Sequence, residues 1–566
     1  MTPATKSLRI AIAQIDPTVG DLVGNARRIL AACAEAKARG ARVVVLPELV
    51  VTGYPPRDLL NVSDFVRQAD AALESIVRDV PEGLFVILGA TRRCTLGPGS
   101  RALHDSIVAF ERGTIQRECA KSLLPTYDVF DERRYFEPAP AGAQHVVDID
   151  GVKVGLVVCE DLWNDHVLWG EKRLYREDPV ANAVAQGAQI IVNVSASPFA
   201  HDKQATRRTI AHHASERWGV GVVYCNAVGG NDGLLFDGGS LVYAAGGRFV
   251  TELPFFEESV RVVDLPVGKE DITQSSPPPL VPMDLLHRAL VMGVRDYARK
   301  TGMSRWLVGV SGGVDSALVA TIGALALGPG AGAAFALPSR YSSDHSIADA
   351  RALCERLAVP FAVVPIEPAH AAYEQILAPV LAPLGAASAS DVTYENVQAR
   401  ARGAILMAYA NRTNGLLLTT GNKSECSVGY CTLYGDTCGG LAVIADVWKQ
   451  DVYALCRWLN AHVVDGAIPE STLTKPPSAE LRPGQRDDQS LQPYDVLDPI
   501  LRALVELELG VDEAARLTHQ PVELVRSLAL KLQRAEYKRK QFAPTLRVSA
   551  RAWVGRDYPL ANGWLP

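Results

Sequence analysis

Residues 307–317 read LVGVSGGVDSA and continue an apolar, strand-like run that begins at Trp306. The stretch opens into ALVATIGALAL, a run of alanines and leucines with helical character. A strand, a glycine turn and a helix start together present unobstructed backbone N–H groups at the positive end of a helix dipole. The stretch therefore predicts a phosphate-binding loop in a layered α/β domain.

The loop lacks the lysine of the G-x4-G-K-[ST] phosphate loop. Its SGG-x-DS pattern instead resembles the pyrophosphate loop of the ATP pyrophosphatases, which split ATP into AMP and pyrophosphate. A glycine-rich turn without a ligand is the alternative. The resemblance implies that ATP contacts eight consecutive residues: Gly309, Val310, Ser311, Gly312, Gly313, Val314, Asp315 and Ser316.

Composition restricts the class of protein. The 566 residues are 48% hydrophobic and 21% charged, and the net charge of −6 comes with no basic arm, so nucleic acid is not an expected partner. None of the ten cysteines forms a C-x-x-C pair, the N-terminus has no apolar signal core, and no apolar run reaches membrane-spanning length. We expect a cytoplasmic protein that does not bind membranes.

Short apolar runs in the first half alternate with helical patterns such as 25–39, which predicts an α/β domain with buried sheets. The runs are residues 8–14, 43–46, 84–90, 152–158, 189–194 and 220–225. A stretch with three consecutive prolines, DITQSSPPPLVPM, then breaks the pattern. We expect a domain over 1–270, a linker over 271–283, a second domain over 284–545 and a tail over 546–566.

Three polar residues of the first domain, Glu48, Lys121 and Cys159, lie next to apolar runs, where open α/β sheets place functional groups. A thiol beside a carboxylate and an ammonium could be an activated nucleophile. Taken singly, each residue also suits a structural role, as a buried thiol, a loop acid or a solvated base.

The surrounding sequences LPELVVTGYPPRDLL, KSLLPTYDVFDERRYF and VCEDLW resemble the nitrilase-type amidases, most closely those fused to NAD synthetases. The resemblance implies an αββα sandwich. It also implies that Glu48 is the general base, Lys121 the stabiliser of the oxyanion and Cys159 the nucleophile, with Glu132 as a supporting glutamate. By the same resemblance, the glutamine substrate contacts Tyr127, Ser197 and Lys203.

In the second half, AAFALP, FAVVPI and GLLLTTGNKSE alternate with helical stretches, which predicts a parallel, Rossmann-like sheet. Asp315 and Glu425 both follow strands and phosphate-compatible turns. Two carboxylates beside a triphosphate suit Mg²⁺, although either residue could instead cap a helix.

Four further motifs of the second half occur in the order found in NAD synthetases and resemble that family. They are YENVQARARGAILMAYAN, TTGNKSE, DVWKQDVYAL and PPSAEL. The resemblance implies ATP contacts at Thr420, Lys449 and Ser478, and Mg²⁺ ligands at Asp315 and Glu425. It also implies deamido-NAD contacts at Asn396, Glu425 and Lys538. Arg400 and Arg402 suit either phosphate binding or a solvated helix face. The polar run 471–495 is long enough to be an active-site lid.

The two resemblances together indicate a glutamine-dependent NAD synthetase: an amidase that releases ammonia, followed by an ATP-pyrophosphatase domain that amidates deamido-NAD⁺ through an adenylate. Because free ammonia would be diluted and mostly protonated in neutral water, we expect an internal ammonia passage from Cys159 to the adenylate site that crosses subunits of a homo-oligomer. Two alternatives remain open. One is a stand-alone amidohydrolase with a regulatory ATP-binding module, and the other is a scaffold in which both sites are degenerate.

Overall fold

The computed structural model describes residues 6–95, 99, 101–268, 275–385, 391–477, 480–482, 485 and 491–566. The chain divides into two compact units, residues 1–281 and 282–566. The second unit thus begins two residues before the start predicted from the proline-rich stretch, because Pro282 is the first residue of a helix. Of the linker expected over 271–283, residues 271–274 lie outside the described residues.

The first unit is rich in strands. Its strands are β1 (Ser7–Gln14), β2 (Val43–Val45), β3 (Phe85–Arg93), β4 (Leu103–Glu111), β5 (Thr114–Ala120), β6 (Val146–Ile149), β7 (Val152–Val158), β8 (Ile190–Ser195), β9 (Gly221–Asn226), β10 (Val228–Asn231), β11 (Leu234–Asp237), β12 (Leu241–Ala244), β13 (Arg248–Glu252) and β14 (Ser259–Pro266). Its helices are α1 (Leu22–Ala38), α2 (Ser63–Asp79), α3 (His166–Trp169), α4 (Pro179–Ala185) and α5 (Lys203–Trp218). Short 3₁₀ turns cover Arg57–Asn61, Glu132–Arg134, Cys159–Leu162 and Gly170–Lys172.

Two six-stranded sheets, ordered β14-β1-β2-β3-β4-β5 and β13-β12-β9-β8-β7-β6, form the body of this unit. One face of each sheet contributes apolar side chains such as Ile10 and Val154 to a shared core between the sheets. The opposite faces pack against helices, α1 and α2 on the first sheet and α4 and α5 on the second. The layers therefore run α-β-β-α, and the predicted sandwich is confirmed.

The second unit contains the strands β15 (Arg305–Gly309), β16 (Gly332–Ala336), β17 (Phe361–Val363), β18 (Gly415–Thr419) and β19 (Leu441–Ala442). Its helices are α6 (Pro282–Thr301), α7 (Val314–Leu327), α8 (Asp344–Arg356), α9 (Glu367–Leu381), α10 (Thr393–Thr413), α11 (Lys423–Val428), α12 (Lys449–His462), α13 (Glu470–Thr474), α14 (Tyr494–Val505), α15 (Val511–Thr518), α16 (Val522–Arg534) and α17 (Glu536–Arg539).

All strand pairs in the second unit are parallel, in the order β17-β16-β15-β18-β19. The predicted Rossmann-like sheet is confirmed. The chain leaves β15 toward β16 on one side and later returns as β18 on the other, so the order reverses between β15 and β18. Ligands of open α/β sheets bind outside the strands' carboxyl ends at such a reversal. Asp315 and Glu425 lie just beyond β15 and β18.

The start of the C-terminal tail is integrated into the second unit. Thr545 forms an isolated bridge with Ala442, and the indole of Trp553 donates to the Ala445 carbonyl at 2.8 Å. Asp446 accepts hydrogen bonds from the backbone N–H groups of Val548 and Ser549 at 2.7 and 2.8 Å. The first residues of the tail are thus bound to the segment between β19 and α12.

None of the described helices combines the length and the apolar character needed to span a bilayer.

Candidate active sites

The first candidate site lies in the first unit, around the buried ammonium of Lys121, which follows β5. Its Nζ is 2.7 Å from Glu48 Oε1, 2.7 Å from Glu132 Oε2 and 3.6 Å from Asp105 Oδ2. All of these side chains are almost fully withdrawn from solvent. The ammonium therefore lies among three buried carboxyl groups, where solvent screens the charges only weakly.

Glu48 is held by backbone as well as by Lys121. Its second oxygen, Oε2, accepts the N–H of Ala196 at 2.7 Å. The close approach of β3 to this residue depends on Gly89, because a Cβ there would lie 2.5 Å from the Glu48 Cα. Each oxygen of the Glu48 carboxylate thus accepts one hydrogen bond.

Cys159 begins the 3₁₀ turn that follows β7, and its carbonyl accepts a hydrogen bond from the Asn193 side chain at 3.3 Å. Its φ of +41° lies in the left-handed region, which is strained for a residue with a side chain. Burial raises the pKa of the Cys159 thiol well above its usual range, and the charge of Glu48 raises it further, whereas Lys121 opposes the rise. The resting group is therefore a thiol that requires a base.

Burial and neighbouring charges have opposing effects on the pKa values of Lys121 and Glu132. Burial alone would lower the pKa of Lys121, but the charges of Glu132, Glu48 and Asp105 hold it well above its ordinary value. Burial raises the pKa of Glu132 to about 7, although the Lys121 ammonium works against the increase. The Tyr54 hydroxyl donates to Glu132 at 2.9 Å.

Two of the residues predicted to contact glutamine, Tyr127 and Lys203, lie near Glu160, the residue after Cys159. The Tyr127 hydroxyl lies 2.9 Å from both carboxylate oxygens of Glu160. The Lys203 ammonium lies 5.5 Å from the ring centre of Trp163, and its charge acts to lower the pKa of Glu160. Burial is the larger effect and raises that pKa.

Ser197 is buried in the loop after β8, where its N–H donates to Asn226 Oδ1 at 2.9 Å. The buried Arg207 donates to the Ser197 carbonyl at 3.0 Å and pairs with Asp237 at 2.6 Å. The loop that presents Ser197 is therefore fixed from both sides.

The second candidate site is a cavity of about 490 Å³ at the carboxyl ends of β15 and β18. Predicted residues that line it are Gly309, Val310, Ser311, Gly313, Val314, Asp315, Ser316, Asn396, Thr420, Glu425 and Lys538. Gly312 belongs to the same loop but is not among the lining residues. Its φ is +77°, and a Cβ there would be 2.3 Å from the Ser346 carbonyl oxygen. Ser478 lies outside the described residues.

Lys449 joins the two predicted metal ligands. Its ammonium forms an ion pair with Asp315 and lies 3.3 Å from Glu425 Oε1. Burial would lower the pKa of Lys449, but Asp315 and Glu425 together raise it. Both carboxylates thus face the same position, which the Lys449 ammonium occupies.

Other polar residues around the cavity are Asn422 and Glu480, which had no predicted role, and Arg402, for which two roles were left open. Asn422 donates to Asp315 at 2.9 Å and caps α11, whose first turn contains Glu425. Glu480 accepts hydrogen bonds from the hydroxyls of Ser343 and Ser346 at 2.8 and 2.9 Å. Burial lowers the pKa of the cavity-lining Arg402 to about 10. Asn422 lies within the TTGNKSE motif and Glu480 within the PPSAEL motif, but neither motif indicated these contacts.

Comparisons with known proteins agree with this geometry. Residues 9–271 match the carbon-nitrogen hydrolase family, and residues 286–542 match the NAD synthase family. Over 564 residues the chain is 43% identical to the glutamine-dependent NAD(+) synthetase of Synechocystis sp., with 98% of this chain and 99% of that protein covered. The chain belongs to the glutamine-dependent NAD(+) synthetase family.

Two further members support the same assignment. The glutamine-dependent NAD(+) synthetase of Rhodobacter capsulatus is 40% identical over 575 residues, which cover 99% of each chain. The solved structure of the glutamine-dependent NAD⁺ synthetase from Acinetobacter baumannii, in complex with ADP, has a TM-score of 0.74 and 33% identity, and it covers 99% of both chains. The likeness to the NAD synthetases therefore extends over both units.

Proposed function

We propose that this chain is a ligase that converts deamido-NAD⁺ to NAD⁺ with ATP, using ammonia that its first unit releases from glutamine. The observation that carries the proposal is the presence of two sites in one chain. One places a cysteine beside a buried glutamate–lysine pair, and the other is a nucleotide-sized cavity bounded by the SGGVDS loop.

The first reaction is the hydrolysis of the glutamine side-chain amide. Sγ of Cys159 attacks the amide carbon while Glu48 takes the thiol proton, and Lys121 stabilises the oxyanion that forms. Glu48 then gives its proton to the departing nitrogen, and ammonia leaves a thioester on Cys159. Water, deprotonated by Glu48, attacks this thioester and releases glutamate, and the proton returns to the thiol.

Recognition of glutamine requires groups for its α-ammonium and its α-carboxylate. Glu160, fixed by Tyr127, supplies a carboxylate next to the nucleophile. Lys203 supplies an ammonium in the same region. We assign Glu160 to the α-ammonium, Lys203 to the α-carboxylate and Ser197 to the pocket wall.

The second reaction takes place in the cavity of the second unit. The nicotinate carboxylate of deamido-NAD⁺ attacks the α-phosphorus of ATP, and pyrophosphate leaves as the acyl-adenylate forms. Ammonia then attacks the acyl carbon, and AMP departs. The N–H groups of the loop after β15 hold the phosphates, and Asn396 and Lys538 lie on the cavity wall suited to the dinucleotide.

Magnesium fits the second site. Asp315 and Glu425 converge on the ammonium of Lys449, so the donor set already favours a cation, and a few carboxylates plus phosphate oxygens are ligands that Mg²⁺ prefers. When bound, the ion would neutralise charge on the triphosphate. Lys449 is then available to the phosphates, in line with its predicted contact with ATP.

A stand-alone amidohydrolase with a regulatory ATP module would consume glutamine without producing AMP. Incubation of the protein with Mg-ATP, glutamine and deamido-NAD⁺ separates the two functions. Our proposal predicts NAD⁺, AMP and pyrophosphate in equal amounts. ADP and phosphate as products would overturn it, as would glutamine loss without AMP.

The assembly stays a prediction. We propose a homo-oligomer in which ammonia passes internally from the first site to the second, because free ammonia is mostly protonated in neutral water. The cytoplasmic location likewise stays a prediction from composition.

A further inference from the structure

Asp105 is one of three buried carboxyl groups around Lys121, with Glu48 and Glu132, and the proposed mechanism gives it no step. It lies in the middle of β4, and its carbonyl accepts the N–H of Lys121 at 2.8 Å, which holds the two residues side by side. The side chain is 1% exposed. Oxygen atoms of Asp105, Glu48 and Glu132 all lie within 4.8 Å of one another.

The charges of this cluster do not balance if every group is ionised. Lys121 contributes one positive charge, whereas Glu48, Glu132 and Asp105 would contribute three negative charges at a buried site. Uncompensated charge of this kind is removed by the uptake of protons. The carboxyl group with the fewest hydrogen-bond donors is the easiest to protonate.

The donors are unevenly distributed among the three carboxyl groups. Glu48 accepts from Lys121 and from the Ala196 N–H, and Glu132 accepts from Lys121 and Tyr54. Among the described residues, no hydrogen-bond donor reaches either carboxyl oxygen of Asp105. Among the described residues, its ion-pair partner is Lys121, whose ammonium lies 3.6 Å away, beyond hydrogen-bond distance.

We propose, resting on the function proposed above, that Asp105 is a positioning residue that stays protonated and thereby leaves Glu48 as the ionised base for Cys159. In this form its O–H donates to Glu48 and orients the carboxylate. Burial first, and then the charge of Glu48, raise the pKa of Asp105 well above its ordinary range, which agrees with the geometry.

A pH dependence follows from this arrangement. The groups that face Asp105 or its partners are Glu48 after β2, Lys121 after β5, Glu132 and Tyr54 from the neighbouring loops, and Cys159 after β7. As the pH rises through the pKa of Asp105, a new negative charge opposes both the thiolate and the oxyanion. Glutamine hydrolysis should therefore decline at alkaline pH.

The test is Asp105→Asn, which keeps the shape and a donor but cannot ionise, with Asp148→Asn as the matched control on the exposed face of β6. We expect hydrolysis at neutral pH within about threefold of wild type and an alkaline decline moved upward by about one pH unit or more. Hydrogen exchange of peptides from the first unit checks that this unit of the variant has folded.

Two results would overturn the proposal. A loss of about a hundredfold or more in Asp105→Asn would mean that an ionised Asp105 is needed. An unchanged rate with an unchanged pH profile would mean that Asp105 only fills space.

Infrared spectroscopy provides a readout that does not depend on turnover. The wild-type protein should show the band of a protonated buried carboxyl group, and Asp105→Asn should lose that component. An identical spectrum in both proteins would contradict the proposal. Failure of the wild type to hydrolyse glutamine would instead contradict the proposed function, while the infrared result would still report on Asp105.

Discussion

The ammonium nitrogen of Lys121 lies 2.7 Å from a carboxylate oxygen of Glu48, and neither side chain is exposed to solvent. Both charged groups of a buried ion pair lose their hydration on folding. The pair by itself is therefore weak evidence that it stabilises the folded protein. Its geometry instead suits catalysis, because the charge is in place before the oxyanion forms.

Replacement of Lys121 by methionine should lower the rate of glutamine hydrolysis by about a thousandfold or more, since both the oxyanion and the Glu48 carboxylate lose their cation. It should also destabilise the first unit by about 3–5 kcal/mol, because buried carboxylates lose their partner. Lys153→Met, at an exposed position on β7, is the control. Ammonia-driven NAD⁺ synthesis should persist, and its loss would show that the effect is general unfolding.

The raised pKa of Glu132 should make the stability of the first unit depend on pH. The unfolded group titrates near 4.5 and the folded group near 7, so the proton is held more tightly in the folded state. Stability from this group is complete below pH 4.5 and is lost as the pH rises to about 7, at up to about 1.4 kcal/mol per pH unit.

Urea titrations followed by hydrogen exchange of peptides from the first unit measure this slope at several pH values. Glu132→Gln should flatten it between those two pKa values, whereas Glu82→Gln at an exposed position should not. Equal slopes in wild type and Glu132→Gln would show that Glu132 does not hold the proton.

The proposed metal site predicts the behaviour of Asp315→Asn. The amide cannot supply an anionic ligand, so half-maximal NAD⁺ synthesis from ammonia should need about tenfold more Mg²⁺ or higher still. Asp344→Asn, at an exposed position at the start of α8, should leave the requirement unchanged. If the variant and wild type show the same Mg²⁺ dependence, Asp315 is not a ligand.

The tail contact predicts a role for Ser549, whose hydroxyl lies 2.6 Å from Lys423 Nζ and 2.7 Å from Asp446. Lys423 opens α11, the helix that carries Glu425. Ser549→Ala should lower the stability of the second unit by about 1–3 kcal/mol, because the buried charged groups of Lys423 and Asp446 each lose one hydrogen bond. Thermal unfolding monitored on the second unit would test this, with the exposed Ser527→Ala as the control. A change as small as that of the control would contradict the role.

The central parallel strands could be predicted from the sequence because buried strands are continuous apolar runs, as in residues 43–45. Outer antiparallel strands such as β5, TIQRECA, were missed, since polar residues interrupt their pattern and much of the strand is exposed. The helices α14–α16 went unassigned as well, although they form an apolar core with Trp448.

The candidate residues that stand in motifs could be named from sequence, and the resemblance supplied their roles. Asp105 could not be named from sequence, because it lies within an ordinary strand. Its carboxyl group comes close to Lys121 only when β4 and β5 pair. The ion pairs that link Lys449 to Asp315 and Glu425 are likewise products of the sheet order, which brings the ends of β15 and β18 together.

The central claim, that amide nitrogen moves from glutamine at Cys159 to the product, is tested most directly with amide-¹⁵N glutamine. Wild-type protein with Mg-ATP and deamido-NAD⁺ should yield ¹⁵N-labelled NAD⁺, AMP and pyrophosphate. Cys159→Ala should yield no labelled NAD⁺, yet it should still make NAD⁺ from ammonium at a rate near that of the wild type. Labelled NAD⁺ from Cys159→Ala, or no label in the wild-type product, would contradict the account.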